Sequence, residues 1–489
     1  MTSLDLLLTT PLLVLGGGSL LLLMLGAFTQ SARATAIGAA VVILAAMAQL
    51  VIAPASGPVF PLESGAGASQ VSNLAGHLMH VSPFTNIATL ILLGISLLCM
   101  PLVGPYFRAA KAHRPEVYVL LTLSLTGMVA LITSAHLLTL YVALELMTFP
   151  LYILAAFLRD DAKSSESGLK YYVLGSMASG LMLYGISLLY AGLGTLSYTG
   201  VFTALNTAVA SGGVTPILLV GMVLVLTAAL FKLSVAPFHM WTPDVYEGAP
   251  TPVTAIMGSL PKIAAVALLI RLLAGPFDAL ASLWQPTLAW LAVASMLVGA
   301  VLAIAQTNLK RLLAYSTIAN IGFILVGVVA ANPQGASGAM LYLAIYAFTT
   351  LGLFAALMAS GANNVSDLKG LATRNPYLAG TFLLLLFSLA GIPPLAGFMA
   401  KFAVFTAAVQ AGLMPLAIAG VLSSVLALFY SLWLIKVMIF DHPETLTPTP
   451  AIPLSLAYIM LLSAMATLIL GIFPSLLGNL TLAAATAIF

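Results

Sequence analysis

Charged residues are scarce in this sequence. Asp, Glu, Lys and Arg make up only 6% of the 489 residues, whereas an ordinary soluble domain has about 25%. Hydrophobic residues make up 62%. So few charges cannot cover a globule of this size with water-facing groups, which excludes a soluble enzyme, and the hydrophobicity excludes intrinsic disorder. The composition therefore indicates a polytopic, all-α integral membrane protein surrounded by lipid.

Residues that bind redox cofactors are scarce as well. Cys99 is the single cysteine, so the chain can form no internal disulfide and cannot supply the roughly four thiolates of an iron–sulfur cluster. The six histidines are scattered, and no Gly-rich dinucleotide or phosphate-binding motif follows a strand pattern. We therefore expect no metal, nucleotide or redox cofactor in this chain. Its net charge of +3 is too small and dispersed to predict a nucleic-acid partner.

Long hydrophobic runs, in contrast, fill the chain. A helix crosses the hydrocarbon core in about 20 apolar residues, and we predict about fourteen such spans. They cover residues 6–28, 34–53, 84–105, 116–134, 137–158, 169–193, 214–238, 251–274, 283–305, 309–331, 338–360, 376–410, 412–440 and 452–477. The run 376–410 is too long for one straight crossing and contains two prolines, which predicts a broken helix. The first run lacks a basic segment and a cleavage site, so we predict a retained span rather than a signal peptide.

Lysine and arginine lie near alternate ends of the predicted spans. The connections after spans 1, 3, 5, 9, 11 and 13 carry Arg33, Arg108, Lys111, Arg114, Arg159, Lys163, Lys310, Arg311, Lys369, Arg374 and Lys436. The connections after spans 2, 4, 6, 10 and 12 carry none, and Arg271 at the end of span 8 is the exception. Because basic residues favour the cytoplasmic side, we predict odd-numbered connections in the cytoplasm. Both termini and the 54–83 loop are predicted on the opposite side.

An internal repeat occurs at an offset of about 170 residues. The segment from Gly168 aligns with the segment from Gly338, and Lys232 and Lys401 both lie in mid-span near prolines. Five spans separate the copies, so the halves cross the membrane in opposite directions, as in many transporters. We predict inverted units of spans 4–8 and 9–13, with broken helices at spans 7 and 12 and the lysines at matching positions. The predicted divisions are 1–115 with three helices, 116–275, 283–440 and a C-terminal helix in 441–489.

Four ionisable residues lie well inside apolar spans, namely Glu145, Lys232, Lys262 and Lys401. Each costs about 2.5–3.5 kcal/mol at mid-bilayer on insertion scales. One interpretation is structural ion pairs, or lysines that extend to the membrane surface. The other is a proton relay, because burial favours the neutral amine and a nearby carboxylate favours the ammonium. Three lysines spread over two half-units favour the relay, and we expect Glu145 to lie about 4–8 Å from Lys232.

Further polar residues lie near the predicted breaks. Ser234 and His239 are candidates for holding water, and Lys170 is a candidate near the end of span 6. In the segment 239–255, Asp244 and Glu247 have no basic partner within the loop. That segment is either a tight turn with exposed acids or the cytoplasmic mouth of a half-channel. A membrane tolerates the carbonyls freed by a break only where they line protein or water, although proline kinks without a function are common.

Five segments resemble the proton-translocating antiporter-like membrane subunits of respiratory complex I, and among these the N-type subunits of bacteria. They are LTLYVALELMTFPLYILAAF, GLKYYVLGSMASGLMLYGISLLY, FKLSVAPFHMWTPDVYEGAPTPVTA, LKRLLAYSTIANIGF and GIPPLAGFMAKFAVF. The resemblance covers about residues 80 to 440, and YEGAPTPVTA is its most specific part. The M-type subunits carry a glutamate where this chain has Lys401.

The resemblance implies a role for each buried charge. Glu145 matches the family's span 5 glutamate, which modulates the neighbouring lysine. Lys232 matches the lysine of broken span 7, Lys262 the connecting lysine of span 8, and Lys401 the terminal lysine of span 12. At the repeat offset Glu145 meets Tyr315, so the second half has no matching acid.

The resemblance also implies a function and a set of partners. We expect a non-redox, proton-translocating subunit of NADH:quinone oxidoreductase in the bacterial inner membrane, with periplasmic termini. NADH, FMN, iron–sulfur clusters and quinone are expected in partner subunits, and the neighbours are an M-type subunit and the small K-, J-, A- and H-type subunits. The alternatives are a subunit of a multisubunit Na⁺/H⁺ antiporter or membrane-bound hydrogenase, a solitary transporter of an organic solute, and a structural scaffold.

Overall fold

The computed structural model describes residues 3–52, 78–442 and 451–489, and these ranges contain no β-strand. Nineteen α-helices lie in them, with 3₁₀ helices at Asp278–Leu280 and Val365–Leu368. The first ten are α1 (Ser3–Thr29), α2 (Ala32–Ile52), α3 (Pro83–Ala109), α4 (Glu116–Thr133), α5 (Leu137–Ala155), α6 (Ala162–Leu193), α7 (Tyr198–Ala210), α8 (Pro216–Leu233), α9 (Trp241–Gly248) and α10 (Thr251–Leu273). The others are α11 (Ala281–Ile304), α12 (Leu309–Val329), α13 (Pro333–Ser360), α14 (Leu371–Arg374), α15 (Pro376–Ala390), α16 (Ala396–Gln410), α17 (Met414–Ile439), α18 (Leu454–Ile472) and α19 (Ser475–Ala485).

Thirteen of the described helices are long and apolar enough to cross a membrane. The chain is therefore a multi-pass membrane protein, and these helices correspond to every predicted span except the twelfth. Span 12 is divided into α15 and α16, as predicted. Gly391 has a left-handed φ of +88° and the following Pro393 and Pro394 cannot donate a backbone hydrogen bond, so the helix stops there. Together the thirteen helices and this broken crossing correspond to the predicted fourteen spans.

Four short helices among the described residues lie wholly or mostly outside the predicted spans. α7 occupies the connection after span 6, α9 lies in the 239–255 segment, α14 lies between spans 11 and 12, and α19 begins at the end of span 14. None is longer than 13 residues, so a search for runs of about 20 apolar residues misses them. The tight-turn interpretation of the 239–255 segment is wrong, because α9 forms two turns of helix there.

The centre of the molecule is formed by α10, α12 and α13. α10 is buried from Pro252 to Leu273, and most of α12 and α13 is buried as well. In contrast, α1, α2 and α17 expose large apolar side chains such as Leu21 and Leu422, as expected of helices that face lipid. A lysine on a central helix cannot reach the membrane surface by extending its side chain. This excludes that interpretation for Lys262, which is 0% exposed.

The order of helices in the second half repeats that of the first. α4, α5 and α6 are followed by the broken pair α8 and α9 and then by α10. α11, α12 and α13 are followed by the broken pair α15 and α16 and then by α17. The predicted divisions 116–275 and 283–440 enclose these sets, apart from the first two residues of α11. The division boundaries themselves stay predictions.

The connections after even-numbered spans lie at one end of the molecule, and those after odd-numbered spans lie at the other. His136 bridges to Ser197, which joins the connections after spans 4 and 6. Asn308 bridges to Asn364 at the other end, which joins the connections after spans 9 and 11. Which end faces the cytoplasm stays a prediction, and the 54–76 part of the long loop lies outside the described residues, as does His77.

Arg271, the exception to the pattern of basic residues, is buried at the end of α10. Its Nη1 donates hydrogen bonds to the carbonyl oxygens of Ile132 and Ser134, both at 2.6 Å. These carbonyls lie at the C-terminus of α4, where the last carbonyls lack intrahelical partners and carry partial negative charge. Arg271 therefore stabilises a helix end inside the protein, and the rule for basic residues in loops does not apply to it.

Candidate functional site

Lys232 lies at the end of α8, where its side chain is buried beside α5. It is 3% exposed, and its Nζ donates a hydrogen bond to the hydroxyl oxygen of Tyr152 at 3.0 Å. Tyr152 follows Glu145 by seven residues on α5, so the two lie two turns apart on one helix face. Glu145 interacts electrostatically with both side chains, but the described residues form no ion pair between Glu145 and Lys232 within 4.0 Å. The expected separation of 4–8 Å stays a prediction.

Glu145 retains unsatisfied hydrogen-bonding capacity. Its Oε1 is buried and has no partner among the described residues. A buried carboxylate oxygen without a partner costs free energy, so this side chain needs a further donor. A water molecule, or a group on a neighbouring subunit, fits that need.

Lys262 occupies the first helix break. α8 ends at Leu233, and the next residue, Ser234, has a left-handed φ of +65°. Lys262 Nζ donates to the carbonyl oxygen of Lys232 at 2.8 Å and to Ser234 Oγ at 2.6 Å. Trp241 Nε1 donates to the carbonyl of Phe231 at 3.0 Å, and its ring lies 5.2 Å from the Lys262 ammonium. An ammonium group is favourable here because the open end of a helix is partly negative.

Lys401 occupies the second helix break in a similar way. Its Nζ donates to the carbonyl oxygen of Ala390, the last residue of α15, at 2.9 Å. It also donates to Ser424 Oγ on α17 at 2.8 Å and lies 4.7 Å from the centre of the Phe323 ring. A Cβ on Gly391 would lie 3.0 Å from Lys401 Cδ, so glycine both ends the helix and leaves room for the lysine.

The prediction that Lys232 and Lys401 lie at matching positions is wrong. Lys232 precedes its break at Ser234, whereas Lys401 follows its break at Gly391. Ser234 and Gly391 are 157 residues apart, whereas the two lysines are 169 residues apart. The spacing that aligns the lysines in the sequence therefore does not align the two helix breaks. By its contacts, Lys262 is the counterpart of Lys401, because each places an ammonium group on the last carbonyls before a break.

The second half has hydroxyl and amide groups beside α12. Tyr315 replaces the acid of the first half, and the buried groups next to it form short hydrogen bonds. Tyr430 and Ser316 hydroxyls are 2.8 Å apart, Tyr342 donates to Asn320 Oδ1 at 2.8 Å, and Tyr346 donates to Thr317 at 2.8 Å. These groups lie on α12, α13 and α17, which surround Lys401. Neutral hydrogen-bonding groups, rather than a carboxylate, therefore dominate this part of the interior.

Asp244 and Glu247 belong to an ion-pair network at the predicted cytoplasmic end. Asp244 accepts from Lys170 at 2.8 Å and from Arg311 at 2.6 Å. Glu247 pairs with Lys163 at 3.1 Å and contacts Arg311 at 3.4 Å. Partial burial disfavours the charged carboxylate of Asp244, but the bonds from the two cations outweigh it and lower its pKa. The network links α9 to α6 and α12, and it surrounds a cavity of about 190 Å³.

Ser234 and His239, the other predicted residues, both lie at the first helix break. Ser234 accepts from both Lys262 and Thr242, whereas His239 lies in the break with a buried Nδ1 that has no partner among the described residues.

Two residues that contact the buried lysines, Tyr152 and Ser424, were not predicted. The seven-residue spacing from Glu145 was a usable signal for Tyr152, but nothing in the sequence marked Ser424. Across the described ranges, no group of three or more His, Cys, Asp or Glu residues is arranged to bind a metal ion.

Comparison with known proteins is consistent with this geometry. Residues 134–427 match the family described as "NADH:quinone oxidoreductase/Mrp antiporter, TM". The chain is 45% identical to NADH-quinone oxidoreductase subunit N of Beijerinckia indica, over 82% of this chain and 83% of that protein. It is 40% identical to subunit N of Paramagnetospirillum magneticum, over 100% and 99%. A chain of respiratory complex I from Thermus thermophilus, solved with bound aureothin, superimposes with a TM-score of 0.77 and 31% identity, covering 96% and 98% of the two chains. The chain therefore belongs to the NADH-quinone oxidoreductase subunit N family.

Proposed function

We propose that this chain translocates protons as a membrane subunit of NADH:quinone oxidoreductase. The observation that carries the proposal is the placement of Lys262 and Lys401, each buried in the membrane-spanning core with its ammonium group at a helix break. A lysine amine in such a place is neutral or charged according to the groups around it. Each break supplies carbonyl and hydroxyl acceptors that favour the ammonium, while burial opposes it.

Lys262 and Lys232, the two buried lysines of the first half, are linked by a hydrogen bond from one side chain to the backbone of the other. Lys262 Nζ bonds the backbone carbonyl of Lys232, while Lys232 Nζ points away to Tyr152. A change of charge on Glu145 or Lys232 alters the potential at Lys262, because charges interact strongly in a medium of low dielectric constant. We propose Glu145 as the modulating acid and Lys232, Lys262 and Lys401 as the proton-carrying groups. Lys170, Asp244 and Glu247 then hold α9 in place beside the first break.

The proposal assigns the redox chemistry to other subunits. NADH, FMN, iron–sulfur clusters and quinone would bind there, and this chain would be a non-redox part of the translocase. Its neighbours would be an M-type subunit and the small K-, J-, A- and H-type subunits. The location would be the bacterial inner membrane, with both termini in the periplasm.

The test is replacement of Lys262 and Lys401 in the assembled complex. Lys→Ala at either position is expected to lower proton pumping by about tenfold or more, and NADH:quinone activity would fall with it because the two are coupled. Lys→Arg is not expected to restore pumping, since arginine keeps its proton in proteins. Lys369→Ala is the control, because Lys369 lies in the connection before α14 and outside the spans.

A purely structural role predicts a different pattern. If the lysines serve only to cap the broken helices, arginine substitutes well and alanine reduces the amount of assembled complex rather than its turnover. Normal pumping by a fully assembled Lys262→Ala and Lys401→Ala double variant would refute the relay.

The family match also leaves a second candidate, a subunit of a multisubunit cation/proton antiporter. The family description includes Mrp antiporters as well as NADH:quinone oxidoreductases, and the same buried lysines serve either use. Isolation of the tagged chain distinguishes the two. NADH dehydrogenase activity that co-purifies in fixed proportion supports the oxidoreductase, and its absence from an intact assembly supports the antiporter.

A further inference from the structure

A cavity separate from the helix breaks lies between α1, α4, α5 and α6. Its volume is about 550 Å³, and it is partly open to the surface of the chain. This is within the range of sites for small organic ligands, about 300–1,000 Å³. Among the described residues, the charged ones that line it are Arg114, Glu116 and Arg159, and they are joined by apolar and aromatic side chains such as Phe149 and Tyr172.

The charged and apolar parts of the cavity are separated along the membrane normal. Arg114 and Glu116 lie where α4 begins, and Arg159 lies just after α5 ends, so all three are at the same predicted cytoplasmic end. Phe149 and Tyr172 lie two to three turns deeper, on α5 and α6. The ligand that suits this arrangement has a polar group at the membrane surface and an apolar part beside the helices.

The charge at the mouth favours an anionic group. Two guanidinium groups face one carboxylate, and neither arginine forms an ion pair within 4.0 Å in the part of the chain that the structure describes. A guanidinium binds phosphate through two parallel hydrogen bonds. Basic pockets between membrane helices at this depth bind the head groups of anionic lipids.

The aromatic wall of the cavity is exposed at the surface of the chain. Phe149 is 52% exposed and Tyr172 is 45% exposed, although both are large and apolar or aromatic. We propose that this cavity binds one anionic phospholipid, with its phosphate on Arg114 and Arg159 and an acyl chain against Phe149 and Tyr172. The acyl chain then covers the wall that contains Tyr152, the hydrogen-bond partner of Lys232, and keeps bulk water from it on that side.

The lipid proposal does not depend on the proposed function, so it is tested by binding. The assembled complex is reconstituted into phosphatidylcholine vesicles that contain a small fraction of spin-labelled phosphatidylglycerol, and the immobilised fraction is measured. The double variant Arg114→Gln and Arg159→Gln is expected to lose one immobilised phosphatidylglycerol per complex and to bind at least tenfold more weakly. Arg33→Gln is the matched control, because Arg33 is also exposed at a connection of the same parity but does not line the cavity.

A second variant tests the apolar part of the site. Ile153 lines the cavity and is 49% exposed, so Ile153→Trp is expected to fill the space and displace the lipid while both arginines remain. Equal retention of phosphatidylglycerol by the wild type and both variants overturns the proposal. The proposal is also overturned if the site binds spin-labelled phosphatidylcholine, or soluble glycerol phosphate, as tightly as phosphatidylglycerol. A photo-crosslinker placed at position 153 that attaches to a protein helix instead of lipid would overturn it as well.

Discussion

At the scale of single residues, Tyr152 is the direct contact of Lys232. Its hydroxyl is the hydrogen-bond acceptor of the Lys232 Nζ among the described side chains. The hydroxyl also lies beside α6 at Gly175, where an added Cβ would collide with it. The position of Tyr152 is therefore set by packing as well as by the lysine, and removal of its hydroxyl changes the surroundings of Lys232 without moving α5.

Tyr152→Phe is expected to reduce proton pumping while leaving the complex assembled. A buried donor that loses its acceptor costs about 1–3 kcal/mol, which corresponds to a change of about 5- to 150-fold in an equilibrium constant. The protonated form of Lys232 is disfavoured accordingly. Pumping per NADH oxidised in sealed vesicles measures the effect. Tyr184→Phe is the control, since Tyr184 is 58% exposed on α6, and equal pumping by both variants would make Tyr152 a packing residue only.

At the scale of helices, the second break depends on a close approach between α15 and α16. Gly397 is the second residue of α16, the second piece, and its backbone N–H donates to Ser388 Oγ on the first piece at 3.1 Å. A Cβ on Gly397 would collide with the carbonyl oxygen of Ser388. The two pieces can thus fold back on each other, and bring Lys401 to Ala390, only with glycine at this position.

Gly397→Ala is expected to destabilise the protein by about 1–3 kcal/mol or more, the usual cost of overpacking. Gly380→Ala on α15 is the matched control. No atom of the described residues lies within 4 Å of a Cβ placed there, so this change is expected to be neutral or stabilising by up to about 1 kcal/mol, because alanine is a better helix former. Thermal unfolding of both variants in detergent measures the difference. Equal midpoints would show that the break tolerates a wider separation of the two pieces.

At the scale of the whole molecule, the ion-pair network connects the two halves through Asp244. Lys170 belongs to the first half and Arg311 to the second, and both bond Asp244. Pairs this exposed contribute about 0–1 kcal/mol each, so the network positions α9 more than it stabilises the protein.

The pKa of Asp244, which is lower than usual, predicts how this network responds to pH. A carboxylate with a lowered pKa contributes stability above its unfolded pKa of about 3.9, and loses it as the pH falls through its folded pKa. The stability difference between the wild type and Asp244→Asn is therefore expected to stay constant from pH 7 to about pH 5. Unfolding measured at both pH values checks this. A difference that shrinks near pH 6 would mean that Asp244 takes up protons in the working range.

The predicted orientation of the chain in the membrane can be tested by cysteine labelling. Cys99 is buried, so a membrane-impermeant maleimide is expected to leave the native protein unmodified. Ser211→Cys, in the connection after α7, is expected to react from the periplasmic side of intact cells, whereas Lys111→Cys is expected to react only after the membrane is opened. The reverse pattern would invert the predicted orientation.

The sequence by itself determined the membrane spans and the break at Pro393 and Pro394, and it marked the buried charges as candidates for proton transfer. Each of these depends on a local property. A run of apolar residues long enough for the bilayer must be a helix, a pair of prolines must interrupt it, and a lysine in such a run is costly wherever its partners lie. The predicted fourteen crossings, and the choice of Lys262 and Lys401 as candidates, follow from these costs.

Only the tertiary structure decided which groups meet. Asp244 had no basic partner in its loop, yet it pairs with Lys170 on α6 and Arg311 on α12. The repeat suggested equivalence of Lys232 and Lys401, but Lys262 shares the contacts of Lys401. Contacts between helices depend on their rotation and tilt, which the packing of buried side chains sets. The hydropathy of the sequence does not determine that rotation and tilt. The partners of each charged side chain are therefore known only from the packed structure.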